Sequence, residues 1–140
     1  KYDNSPSNLL AGSYLRIDRK ENKVVNGKNV VMIDDSIVRG TTSKRIVQLL
    51  KDAGAKTVHV RIASPEFKSP CFYGVDTSTY EELISSRLSV KELRDYIGAD
   101  SLKFLSIDEV KEANGPNLCV GCFSGKYPTN LFTLGNILKK

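Results

Sequence analysis

Long apolar runs are missing from this 140-residue chain. The longest are stretches such as Val30 to Ile33, far short of the ~20 residues a membrane-spanning helix needs. The opening residues Lys1, Tyr2, Asp3 and Asn4 are polar, unlike the apolar core of a secretory leader, so a cytoplasmic chain without membrane contact is expected. Histidine is nearly absent too. His59 is the only one, so a Ser-His-Asp triad or a multi-histidine zinc site would have to be built around one residue of an alternating, strand-like segment. Cysteine is scarce: Cys71, Cys119 and Cys122 are an odd number, and nothing else in the chain suggests a disulfide framework. The charge excess is small, +5 from 21 Lys+Arg against 16 Asp+Glu, and the basic residues are dispersed. That favours a solvated surface or a small polyanionic ligand over a nucleic-acid partner.

What is present reads as one soluble globular unit. A hydrophobic fraction of 40% and a charged fraction of 26% exclude a disordered tail, a collagen-like repeat or a coiled-coil rod. Asn29 to Asp34 is an apolar run ending in acid, the pattern of a strand buried on both faces of a parallel sheet. Ser43 to Ala53 places Ile46, Val47, Leu49, Leu50 and Ala53 on one helical stripe, with Gly54 to end it. Thr57 to Ala63 carries Val58, Val60 and Ile62 at period two, a second strand. Strand, helix and strand at this spacing make a right-handed crossover, hence an α/β fold with a parallel sheet. Three polar residues with an acid three positions on, Ser78 with Glu81, Ser89 with Glu92 and Ser106 with Glu109, predict three short helices separated by Gly98 and by a strand over Leu102 to Leu105. Tyr14 to Ile17 and Lys23 to Val25 are candidates for a hairpin, and Asn26-Gly27 marks a turn. Gly115 to Lys140 reads as mostly loop, with a short helix near the end.

The densest chemistry lies between the first strand and the first helix. Asp34 and Asp35 fall where the strand leaves the sheet, the edge at which open α/β sheets bind ligands. Gly40, Thr41, Thr42 and Ser43 follow at the start of the helix, where a glycine permits close backbone approach and free N–H groups attract an anion. Taken separately, each piece favours a plainer reading, Asp34-Asp35 as a solvated strand end and Thr42 or Ser43 as a helix cap. Together they offer acids for sugar hydroxyls or a magnesium shell beside donors for a phosphate, which suits a sugar phosphate. Neither a Walker A loop nor a Gly-x-Gly-x-x-Gly fingerprint is present.

The stretch Asp34-Asp-Ser-Ile-Val-Arg-Gly-Thr-Thr-Ser43 resembles the phosphoribosyl pyrophosphate (PRPP) motif of type I phosphoribosyltransferases. Its particular wording, with Arg39 before Gly40, is similar to that of amidophosphoribosyltransferases. Ser64-Pro65, Pro70 to Thr79, Glu81 to Ile84, Ile97 to Asp100 and Phe123 to Thr129 are similar to the same family in the same order, covering residues 24–132. The resemblance implies a partial type I phosphoribosyltransferase (Rossmann-like) parallel sheet with flanking helices and a loop-rich C-terminal extension. It divides the chain into an unassigned segment 1–23, the C-terminal half of a phosphoribosyltransferase domain over 24–114, and a cysteine-containing extension over 115–140. It further implies a glycosyltransferase of purine biosynthesis, in which ammonia from a glutaminase domain absent here displaces pyrophosphate from PRPP. Asp34 and Asp35 would hold the ribose hydroxyls and share in Mg2+ binding, while Ser36, Arg39, Gly40, Thr41, Thr42 and Ser43 would take the phosphate. No nucleophilic side chain is implied.

Cys119-Val-Gly-Cys122 is a C-x-x-C in a glycine-rich segment expected to be coil, and Cys71 lies well upstream. On spacing alone these are three partly buried thiols or part of a metal shell. The Bacillus-like iron–sulfur branch of the family carries a 4Fe-4S cluster on cysteines in Pro-Cys-Phe-Tyr-Gly and in a C-x-x-C before Phe-x-Gly-Lys-Tyr-Pro-Thr. Cys71, Cys119 and Cys122 match those positions, and the fourth ligand is not in this chain. The resemblance also implies a homo-oligomeric intact enzyme, with this chain alone inactive. Other readings are a type I phosphoribosyltransferase using a base instead of ammonia, with Phe72 and Tyr73 to stack it, and a non-catalytic PRPP-binding regulator.

Overall fold

The structure is a computed structural model, and it describes residues 24–77 and 79–129. Strands β1 (Asn29–Asp34), β2 (Thr57–Ile62) and β3 (Ser101–Phe104) form one parallel sheet in the order β1-β2-β3. Helix α1 (Thr41–Asp52) connects the first two strands, and α2 (Val90–Ile97) precedes the third. Helices α3 (Ile107–Asn114) and α4 (Gly121–Ser124) follow. The α/β parallel architecture is as the alternating apolar pattern predicted.

One face of the sheet makes the core. Register aligns Val30 with Val58, and Met32 with Val60 and Leu102, so alternate residues of all three strands share that face. Val47 and Leu50 of α1 and Leu93 and Ile97 of α2 cover it, together with Ile37, Ala53, Ile62 and Ile84. Asp100 fastens the far side: its carboxylate accepts from the Val58 N–H at 2.7 Å, and its own N–H donates to the Val58 carbonyl at 2.8 Å. That accepted bond holds the Asp100 carboxyl below its ordinary pKa.

The opposite face departs from expectation. β1 is not buried on both sides: Val31 is 58% and Ile33 76% exposed, because both helices between strands lie on the other face. An apolar run therefore gave the element type correctly and its burial only for alternate residues. β2, by contrast, buries Val58, Val60 and Ile62 as its period-two pattern predicted.

Two of the three predicted capping boxes form. The Ser89 hydroxyl accepts from the Glu92 N–H while the Glu92 carboxylate accepts from the Ser89 N–H, and Ser106 and Glu109 do the same at α3. Gly98 closes α2 at φ 75°. The helix expected at Ser78 and Glu81 is replaced: Ser78 lies outside the described residues, Glu81 and Glu82 form a turn, and only Ile84–Ser86 is helical, as a 3-10 turn. Tertiary contacts outweigh the local signal there, since Leu83 and Ile84 are buried in different cores and the Ile84 N–H is drawn to the Val38 carbonyl at 2.8 Å. The C-x-x-C is also not wholly coil, because α4 begins between its two cysteines. Of the proposed N-terminal hairpin, Val24 and Val25 lie in a turn that continues through Asn26-Gly27, and the rest, with segment 1–23 and residues 130–140, lies outside the described residues.

The two faces should respond differently to substitution. Leu93→Ala is expected to cost about 3 kcal/mol in urea unfolding, as a fully buried leucine does, whereas Ile33→Thr should stay within about 0.5 kcal/mol. Equal losses at the two positions would contradict the one-sided sheet.

Candidate functional site

The site is built at the C-terminal end of β1. Asp34 is the last residue of the strand, fixed by the Ala63 N–H donating to its backbone carbonyl at 2.9 Å. Each acid then takes the next backbone N–H: Asp34 Oδ1 accepts from Asp35 at 3.0 Å, and Asp35 Oδ1 from Ser36 at 2.7 Å. Burial pushes the Asp34 pKa above its ordinary value; the Asp35 N–H works against this, and the neighbouring Asp35 carboxylate adds to it. Two crowded carboxylates at a strand end favour a cation or hydroxyl-bearing ligand between them and solvent.

The loop over Ser36 to Gly40 turns inward before it reaches α1. Ile37 is buried in the main core, and Val38 packs on a second core formed by Phe67, Leu83 and Cys122. Arg39 pairs with Glu82 across this loop. Gly40 then adopts φ 74°, a conformation favouring glycine, and a Cβ there would stand 3.1 Å from Ile84 Cδ1 and 3.3 Å from Tyr96 Cε1. The conformation thus favours glycine, and the space above it leaves little room for a side chain.

No side chain caps α1. Its first backbone bond is the Lys44 N–H donating to the Gly40 carbonyl at 2.9 Å, so the N–H groups of Thr41, Thr42 and Ser43 have no acceptor within the helix. Thr41 and Thr42 are exposed, and with Arg45 and Ile46 they line a shallow open depression. Ser43, beside this exposed pair, is largely buried as a residue. Lys44 stands over the Tyr96 ring, its Nζ 4.5 Å from the centroid. Asp34, Asp35, Ser36, Arg39, Gly40, Thr41, Thr42 and Ser43 thus lie together at one sheet edge. Glu82 and Tyr96, which flank the same loop, carried no local signal in the sequence: Glu82 is 43 residues from its partner.

The cysteines occupy the neighbouring second core. Cys122 is buried, Cys71 half-buried and Cys119 exposed. Burial raises the Cys122 thiol, with Cys71 and Cys119 adding to the effect. At Cys71 burial acts in the same direction, but the N–H groups of Tyr73, Val75 and Gly74 outweigh it, so the thiol is more acidic than usual. The Cys122 carbonyl accepts from Lys68 and Ser69 at 3.1 and 3.0 Å, stitching α4 to the segment before Cys71. Tyr127 adds a bond to the Pro70 carbonyl at 2.6 Å. Among the described residues, no three His, Cys, Asp or Glu side chains are grouped so as to hold a metal ion. The two aspartates fit a different role, sharing a hard cation with oxygens of a ligand. Among the described residues no helix is long and apolar enough to cross a membrane.

No protein-family model matches the chain. Individual relatives do: the chloroplastic amidophosphoribosyltransferase of Vigna aconitifolia is 59% identical over 108 residues, 75% of this chain and 22% of the relative. The amidophosphoribosyltransferase of Bacillus subtilis (strain 168) is 56% identical over 116 residues, 78% of this chain and 24% of the relative. The solved glutamine PRPP amidotransferase from B. subtilis, complexed with ADP and GMP, superposes with a TM-score of 0.71 at 56% identity, covering 77% of this chain and 25% of that one. The sheet and its helices are accordingly of the phosphoribosyltransferase class of α/β folds. Over the matched stretch the chain is homologous to the amidophosphoribosyltransferases, and it spans about a quarter of the length of those relatives.

The raised pKa of Asp34 predicts a pH-dependent stability. Its folded state binds a proton more readily than the unfolded chain, so the destabilisation is present above the folded pKa and is lost as pH falls through it. Asp34→Asn should therefore be more stable than the parent at pH 7, with the difference gone below about pH 4, the ordinary carboxylate range. A constant difference across this range in thermal melts would contradict the assignment.

Proposed function

We propose that this chain is the PRPP-binding segment of an amidophosphoribosyltransferase, over 24–114, followed by a cysteine-bearing extension over 115–140. The intact enzyme converts PRPP, glutamine and water to 5-phosphoribosylamine, glutamate and pyrophosphate. The observation that carries the reading is the glycine-turned, uncapped start of α1 one short loop after two adjacent acids. Homology at 56–59% identity narrows a general sugar-phosphate site to this chemistry.

In this reading the N–H groups of Thr41, Thr42 and Ser43, with the Thr41 and Thr42 hydroxyls, hold the 5-phosphate against the positive end of α1. Asp34 and Asp35 accept hydrogen bonds from the two ribose hydroxyls. Held at both ends, the ribose presents C1 in a fixed direction. The lone pair of ammonia forms the C1–N bond, the C1–O bond to pyrophosphate breaks with its electron pair leaving on pyrophosphate, and the amine loses a proton. No covalent intermediate on the protein is needed, so positioning and charge stabilisation carry the catalysis. Asp34 and Asp35 would hold Mg2+, whose chemistry there would be countercharge for the departing pyrophosphate. Ammonia would come from a glutaminase domain elsewhere in the intact enzyme, which we read as a cytoplasmic homo-oligomer.

Cys71, Cys119 and Cys122 would supply three thiolates of a 4Fe-4S cluster, with the fourth from outside this chain. The acidified Cys71 and its surrounding N–H groups suit a metal-bound thiolate. The base-using alternative draws no support from Phe72 and Tyr73, which pack on Tyr127 with ring centroids 5.2 and 6.5 Å away.

Calorimetric titration with Mg-PRPP tests the loop. Binding is expected for the parent chain and is lost in Asp35→Asn and Thr42→Ala; unchanged binding in both variants would overturn the assignment. Anaerobic reconstitution tests the cysteines: Cys119→Ser should bind less iron than the parent, and equal iron would remove Cys119 from the ligand set.

A further inference from the structure

A single short segment touches the strand-end loop at three consecutive positions. The Glu82 carboxylate pairs with the Arg39 guanidinium, and the Ile84 N–H donates to the Val38 carbonyl at 2.8 Å. The Ile84 side chain fills the space above Gly40, 3.1 Å from where a Cβ would stand. Leu83, between them, is fully buried in the second core, against which Val38 also packs. The backbone that carries Glu82 is thus anchored immediately after it. Arg39, with 65% of its side chain exposed, takes its direction from the carboxylate.

An exposed ion pair between two long side chains ordinarily does little for stability. This one has a different consequence because of where the arginine stands, one residue before the glycine turn and two before the uncapped start of α1. Loss of the carboxylate would release the one side-chain restraint on loop residue 39.

We propose that Glu82 is a positioning residue that acts through Arg39: it sets the course of residues 38–40 and thereby the arrangement in which the N–H groups of Thr41, Thr42 and Ser43 meet a 5-phosphate. Glu82 itself touches no reacting atom. The ligand half of this inference rests on the PRPP reading; the loop half stands on the contacts alone.

Backbone hydrogen exchange and Mg-PRPP titration on the full chain separate the two halves. Glu82→Gln is expected to speed exchange of the amides at 38–43 by about tenfold while leaving β3 and α3 unchanged, with Glu82→Asp in between. Mg-PRPP affinity should fall by about tenfold in Glu82→Gln and in Arg39→Gln, and the double variant should be no weaker than either single one. Unchanged exchange at 38–43 in Glu82→Gln overturns the proposal, as does an increase spread evenly over the chain. Losses that multiply in the double variant also overturn it, since Glu82 would then act independently of Arg39. A parent chain that binds no Mg-PRPP sinks the phosphoribosyl reading instead, and the exchange result then decides the loop restraint by itself.

Discussion

Gly40 sits at φ 74° beneath Ile84, Leu93 and Tyr96, and the rest of the site follows from that turn. The chain must leave the sheet at Asp34, place two acids at the strand end, and start a helix with its first N–H groups unpaired. A residue with a side chain at Gly40 would meet both an unfavourable backbone region and the packed side chains of α2 and the 3-10 turn. With glycine there, α1 begins close against α2, and its Val47 and Leu50 reach the covered face of the sheet. The same small residue therefore closes the main core and opens an anion-attracting helix end. Core packing and the anion-attracting helix end are not separable at this position.

The loop before Gly40 joins two cores. Ile37 belongs to the sheet core and Val38 to the smaller one containing Phe67, Leu83 and Cys122. Two adjacent side chains thus point into different apolar clusters, which fixes the path of the loop more firmly than its exposed ends would. The cysteine-bearing segments are held to one another by the bonds from Lys68 and Ser69 to the Cys122 carbonyl, and from Tyr127 to Pro70. The surroundings of the thiols and the path of the strand-end loop are consequently parts of one packed unit.

Legibility in the sequence followed the range of the interactions. β1, α1, β2 and the capping boxes at Ser89 and Ser106 are written in local periodicity and three-residue spacings, and they form as read. The helix expected near Glu81 does not form, because contacts from Leu83 and Ile84 to the loop after β1 outweigh a local signal. The exposed side of β1 was hidden for a related reason: Val31 and Ile33 have the composition of core residues, and only the placement of both connecting helices on one face reveals which side is covered. The acids, the glycine and the threonines of the candidate site were legible as a contiguous stretch. Glu82 was not, since a partner 43 residues away leaves no spacing to read.

Amide chemical-shift mapping with Mg-PRPP tests the central claim most directly, because it reads the backbone groups that the geometry leaves without acceptors. The account predicts the largest shifts at Thr41, Thr42 and Ser43, extending back through Asp34 and Asp35, with α3 unmoved. Shifts absent from this stretch, or concentrated instead around Cys71 and Cys122, would contradict it.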